Sequence, residues 1–273
     1  MRFSRFVGID WSGAAGSRHP AVQVALCEAD GAAPRLVTPP GGVWSRSAVL
    51  DWLGAQHDDV LAGMDASFGL PVAPPFLMPA RDLWAEVDRV AAGDADLAAH
   101  GFVNDPRWRP AFWLGAADGP RAERALLRVT EQACRDQGFG APVSSFVLLG
   151  ANQVGKGALA AMRLLHRLHW PVWPFDPVPE HGPVMVEIYC NLFARLAGLG
   201  GKLRDRARLD AALVALGSAP MPAAFPDRFA DHVGDALVTA AGLRALAGAA
   251  RLWSPARLAA DLRPIEGWTF GVG

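Results

Sequence analysis

Apolar and polar positions along the chain lay out most of its elements. Residues 3–10 form an apolar run that reads as a buried strand, and Ala21-Val22-Gln23-Val24-Ala25-Leu26 alternates as a second. Residues 31–34 turn the chain into a short third strand around 35–38, so a three-stranded antiparallel meander is the simplest arrangement. Ser45 or Ser47 is placed to cap a helix through 48–53. The next strand, 59–65, follows meander and helix, an order that sets it parallel to the first.

Residues 67–120 are rich in proline and tryptophan and lack a clean period, apart from one helix around 81–92. They read as an insertion or lid within a single domain spanning 1–273. Helical periodicity returns at 121–136 and 154–169, with a short apolar run at 146–149 between them. Residues 184–189 read as a buried strand carrying one glutamate, followed by helices at about 191–198, 205–216 and 229–250. The closing 267–272 is strand-like and expected to pack back on the body. The class is α/β: a mixed sheet, meander plus parallel strands, with helices on both faces.

Composition narrows the function classes. The chain is 51% hydrophobic and 19% charged with a formal net charge of −1, so no overall field draws it to nucleic acid or an acidic membrane. Any nucleic-acid contact needs a local patch. Arginine supplies all but two of the 26 basic residues, which makes each single arginine weak evidence of function. Cys27, Cys134 and Cys190 show no CxxC spacing, which argues against a zinc site or a disulfide scaffold and fits a reducing compartment. The short lead before the first strand leaves no room for a signal peptide. The longest apolar segment, 236–253, carries Arg244 and Arg251 and should not cross a membrane. A cytoplasmic protein without a membrane partner is expected.

The candidate chemistry is acidic. Asp10 ends the first strand and enters the glycine-rich turn Trp11-Ser12-Gly13-Ala14-Ala15-Gly16. A buried aspartate is costly unless it is paired, hydrogen-bonded or bound to a metal. Asp65 ends the strand set parallel to the first, and ligands of open α/β sheets bind beyond such strand ends. Glu187 lies in the strand at 184–189. Asp231 and Asp235 are four apart and share one face of a largely apolar helix, where they repel unless a cation or donor sits between them. Clustered carboxylates suit Mg²⁺ or Mn²⁺, and two such ions can drive phosphodiester cleavage. Taken singly, each acid is equally well explained as a cap or a surface ion pair.

The series Gly8-Ile9-Asp10-Trp11-Ser12-Gly13, Met64-Asp65-Ala66-Ser67-Phe68-Gly69-Leu70-Pro71, Val186-Glu187-Ile188-Tyr189 and Asp231-His232-Val233-Gly234-Asp235-Ala236-Leu237 resembles an uncharacterised RNase H-like family whose members are labelled predicted nucleases. Leu127-Arg128-Val129-Thr130-Glu131 and the closing Glu266-Gly267-Trp268-Thr269-Phe270-Gly271-Val272 are similar to it as well. Ser67 and Cys190 stand where that family usually has proline. The resemblance implies a ribonuclease H-like fold whose acids bind divalent metal. Asp10 is then expected to bridge Mg²⁺ or Mn²⁺ ions, with Asp65, Glu187, Asp235 and Asp231 completing the shell. Asp10, Asp65, Glu187 and Asp235 form the expected catalytic set. Arg128, Lys156 and Ser12 are expected to contact a phosphate of nucleic acid or of a small phosphodiester. The activity implied is a metal-dependent phosphodiesterase.

Rival readings rest on other stretches. Gly150-Ala151-Asn152-Gln153-Val154-Gly155-Lys156-Gly157 nearly matches a P-loop but ends in glycine where a metal-binding hydroxyl is needed. The opening stretch also resembles the first phosphate loop of actin-like ATP-binding phosphotransferases, although the second such loop is missing. A non-catalytic binding or scaffold protein of the same fold is the remaining alternative. Pro106-Arg107-Trp108-Arg109-Pro110-Ala111-Phe112-Trp113 interleaves arginines with aromatics, as a nucleic-acid surface does and as a packed lid also does. His232, beside Asp231, can orient a carboxylate or carry a proton. No nucleophile-elbow pattern supports a Ser-His-Asp hydrolase.

Overall fold

In a computed structural model, residues 2–149 and 154–273 are described. Their strands are β1 (Arg5–Asp10), β2 (Gln23–Glu28), β3 (Arg35–Leu36), β4 (Val60–Met64), β5 (Val172–Trp173) and β6 (Val184–Glu187). They form one mixed sheet in the order β3-β2-β1-β4-β6-β5. β1, β2 and β3 make the expected antiparallel meander, and β4, β6 and β5 continue it as parallel strands. In the parallel half Ile9 pairs with Met64, and Met64 pairs with Glu187. β5 was not anticipated. Its two residues lie between Pro171 and Pro174, which donate nothing to a ladder and hide a strand at the edge.

The helices are α1 (Arg46–Gly54), α2 (Ala80–Val90), α3 (His100–Asn104), α4 (Arg121–Arg124), α5 (Val129–Asp136), α6 (Val154–Arg167), α7 (Cys190–Leu196), α8 (Arg206–Ala215), α9 (Asp231–Leu246), α10 (Ala250–Trp253) and α11 (Arg263–Glu266). Strand alternation sends Val7, Ile9 and Val24 to one face, where they meet Leu159 and Met162 of α6. It sends Phe6, Ala25, Leu61 and Val186 to the other, against Leu237, Val238 and Ala241 of α9. Ser45 caps α1 as expected, its hydroxyl accepting from Ala48 N at 3.0 Å. Two glycines let α9 lie unusually close to its neighbours. A Cβ on Gly8 of β1 would stand 2.4 Å from the Ala236 carbonyl, and one on Gly234 would stand 2.4 Å from the Leu203 carbonyl. No helix among the described residues is long and apolar enough to cross a membrane.

The helix expected over 121–136 is broken. α4 and α5 flank an extended Arg128, whose guanidinium is drawn into the interior. The insertion at 67–120 adds an aromatic cluster to the core on the α6 face of the sheet. Phe76 stacks on Trp108 and Phe146 with ring centroids 5.4 and 5.6 Å apart, and Phe102 stacks on Trp108. The interleaved arginines are matched internally: Arg107 pairs with Asp105 and Glu86, and Arg109 with Asp118. This stretch is therefore packed, with its arginine charge offset within the insertion.

The insertion also holds the turn that follows β1, through Asp96 and Arg46. Asp96 sits in the left-handed region (φ 48°), and its carboxylate accepts from the first backbone amides of α1, Arg46 N and Ser47 N. The buried Arg46 side chain donates to the carbonyls of Ser12, Ala14 and Asp96. A residue of the first helix thereby ties the glycine-rich turn to the insertion.

Candidate metal centre

Asp10 and Asp65 end neighbouring parallel strands one residue beyond the Ile9–Met64 pair, so both point to the α9 side of the sheet. The close fit over Gly8 brings the start of α9 above them. The donor atoms of Asp10, Asp65 and Cys190 lie within 4.8 Å of one another. Asp235 joins this group electrostatically, and its charge and that of Asp10 both act on the Asp65 carboxyl. Burial first, and then the neighbouring Asp10, push Asp65 up to about 7. Burial also raises Asp10 and Asp235, against the pull of His232 and Lys202 respectively.

Three partners of these acids were only partly visible beforehand. His232 Nδ1 lies 2.7 Å from Asp10 Oδ2, and that hydrogen bond raises the imidazole above its ordinary value. Lys202 Nζ donates to Asp235 Oδ2 at 2.5 Å. Cys190 lies at the start of α7, with its backbone amide 3.4 Å from Asp65 Oδ2 and its thiol accepting from Thr239. Burial drives that thiol well up, so it stays protonated. Lys202 went unnoticed in the sequence because it lies in a loop with no motif. Its being one of two lysines was the sole available signal.

Asp231 sits at the rim. It opens α9, where a negative charge suits the helix N-terminus, and it pairs with Arg204 at 3.2 Å. Glu187 borders the same cavity but is not brought to the aspartates. Its register partner is Met64, so its side chain leaves the opposite face. There both oxygens are taken. Oε1 accepts from Arg128 at 2.5 Å and Thr269 Oγ1 at 2.8 Å; Oε2 accepts from Arg128 at 2.8 Å and Phe68 N at 2.7 Å. Arg128 is equally committed, donating also to Glu131 and to the Glu266 carbonyl. It braces β6, α5 and the C-terminal segment.

Asp10 and Asp65 open on a cavity of about 420 Å³, walled by the Ser12–Ala14 turn, Tyr189, Asn191, Lys202, His232 and the first turn of α6. Ser12 faces it, with its hydroxyl accepting from Ala14 N at 3.2 Å. Trp11 donates its indole N–H to the Gly157 carbonyl and joins the turn to α6. Lys156 is elsewhere. It lines a separate cavity of about 130 Å³ with Arg46 and His100. Of the P-loop-like stretch, residues 150–153 lie outside the described residues.

Asp10 and Asp65 supply the carboxylate oxygens that a hard divalent cation takes, and the protonated Cys190 thiol is not such a donor. Asp10 is only 7% exposed, yet its Oδ1 has no hydrogen-bond partner among the described residues. The same holds for Oδ1 of Asp235, 3% exposed. Neither oxygen is fully buried, so both are open to water and equally open to an oxygen-seeking ion. Compared with protein-family models, curated proteins and solved structures, the chain matches none.

Proposed function

We propose that this protein is a divalent-metal-dependent phosphodiesterase on a ribonuclease H-like core, acting on nucleic acid or a nucleotide-like substrate. The observation that carries the reading is the convergence of the Asp10 and Asp65 carboxylates, with donor atoms within 4.8 Å of each other, at the ends of adjacent parallel strands. The strand order, an antiparallel meander followed by parallel β4 and β6, supports the core assignment. The cavity volume falls in the range of small-ligand sites, which favours a single nucleotide-sized unit at the reacting position.

Asp10 and Asp65 would hold Mg²⁺ or Mn²⁺. A bound ion supplies Lewis-acid polarisation of a phosphoryl oxygen and eases ionisation of water at neutral pH. His232 keeps Asp10 oriented through Nδ1 and, half-exposed to the cavity, can take or return a proton there. The Ser12–Ala14 turn, held from behind by Arg46, offers Ser12 and backbone amides to a phosphate. Arg128 acts from behind the site by fixing Glu187, which in turn fixes Phe68 N beside Asp65.

The test is hydrolysis of an activated phosphodiester and of labelled single-stranded RNA and DNA, with Mg²⁺, Mn²⁺ or chelator. Metal-dependent cleavage that Asp65→Asn reduces to background is the expected result. The pairing of Lys202 with Asp235 and of Arg204 with Asp231 favours one other reading, a non-catalytic protein whose acids are balanced internally. Absence of cleavage with every substrate and metal would select it.

A further inference from the structure

The acids of this centre are not equally provided with positive charge. On the α9 side, Asp231 already has Arg204, and Asp235 already has Lys202. The second pairing is built into the fold. Gly234 has no side chain, so the Leu203 backbone can press against α9 one residue before Asp235, which sets Lys202 Nζ on the Asp235 carboxylate. On the strand side, Asp10 and Asp65 accept no hydrogen bond from a lysine or arginine among the described residues: Asp10 has His232, and Lys202 acts on it only through space from Asp235.

We propose that Lys202 is the resident cation of the Asp235 half of the centre, so that the protein takes one divalent ion, between Asp10 and Asp65, and not two. The inference rests on the metal reading above and specifies its stoichiometry. With His232 uncharged, the carboxylates of Asp10, Asp65 and Asp235, one ammonium and one divalent ion are electrically balanced, and a charged His232 only adds to the positive side. A second divalent ion would leave an excess of two positive charges beside the buried Asp235, or would have to displace the half-exposed Lys202 ammonium from its hydrogen bond there. Where a paired ion would steady an oxygen of the substrate, the centre instead has the Lys202 ammonium, which borders the cavity and keeps two N–H donors beyond the one given to Asp235.

The experiment is a Mn²⁺ titration of the full chain, with free Mn²⁺ followed by electron paramagnetic resonance. Wild type should bind one ion per chain, and Lys202→Met should bind two, because Asp235 is then released. Should Lys202→Met fail to fold, Asp235→Asn gives an independent reading. It should weaken Mn²⁺ binding by about 10- to 100-fold at most, as loss of an outer partner does, whereas Asp65→Asn should abolish it. Two ions in wild type, one ion in folded Lys202→Met, or an Asp235→Asn loss as complete as that of Asp65→Asn would overturn the Lys202 inference alone. No bound ion in wild type would overturn it together with the metal reading. One bound ion without hydrolysis would leave it standing and remove the phosphodiesterase.

Discussion

Asp65 ends β4 in the cavity floor with its carboxyl pushed from 3.8 up to about 7 by burial and by Asp10. The folded chain thus holds that proton more tightly than the unfolded chain does. Between about pH 4 and pH 7 the native state binds the extra proton, so this group's contribution to stability falls as pH rises through that window. Asp65→Asn removes the effect. Without divalent ions the variant should melt above wild type at pH 8, and the difference should vanish below pH 4; scanning calorimetry across pH reads both ends. Mn²⁺ should reverse the order at pH 8. Arg128 predicts the opposite kind of outcome. Its removal leaves Glu187 and Glu131 buried without their cation, so Arg128→Met should cost about 3–5 kcal/mol in urea unfolding, with or without metal.

At the scale of elements, the packing of α9 on β1 decides whether the acids meet. Gly8 is the contact point, because a Cβ there would lie 2.4 Å from one backbone atom of α9 and 2.7 Å from another. Gly8→Ala should destabilise by about 1–3 kcal/mol, the ordinary cost of overpacking, since the obstacle is backbone and cannot rotate away. It should also blunt the thermal response to Mn²⁺, because lifting α9 separates His232 and Asp235 from Asp10. A stability loss with the metal response intact would show that the helix position does not govern the site. Arg46 offers a test of the insertion. Its side chain holds the Ser12 and Ala14 carbonyls, so Arg46→Ala should speed proteolytic cleavage in the 12–18 turn while the sheet stays protected from hydrogen exchange.

For the whole molecule, ligand linkage gives the broadest check. An ion that binds only the folded chain stabilises it by about 2.7 kcal/mol at a hundred times its dissociation constant. Wild type should therefore melt several degrees higher with saturating Mn²⁺ than in chelator, and Asp10→Asn should melt at the same temperature in both. The charge distribution points the same way. The net charge is −1 and Arg107 and Arg109 of the insertion are paired within it, so polyanion binding should depend weakly on salt compared with proteins that grip many phosphates.

The alternation of residues 3–10 and 21–26, the Ser45 cap and the aspartates ending strands at Asp10 and Asp65 are local properties, written in neighbouring side chains. They determined the meander, the parallel fourth strand, most helices and the two acids at the centre. Three things depended on contacts between distant segments. Pairing Met64 with Glu187 sent the glutamate to the opposite face, because strand side chains alternate and register is set by partners far along the chain. Arg128 left its helix for those buried carboxylates, and a periodic pattern cannot show that a charged residue will outweigh it. Lys202 reached Asp235 only because Gly234 let a loop approach α9. The sequence by itself determined which residue types could form an acidic centre; the tertiary structure decided which acids face one another and which already have a cation.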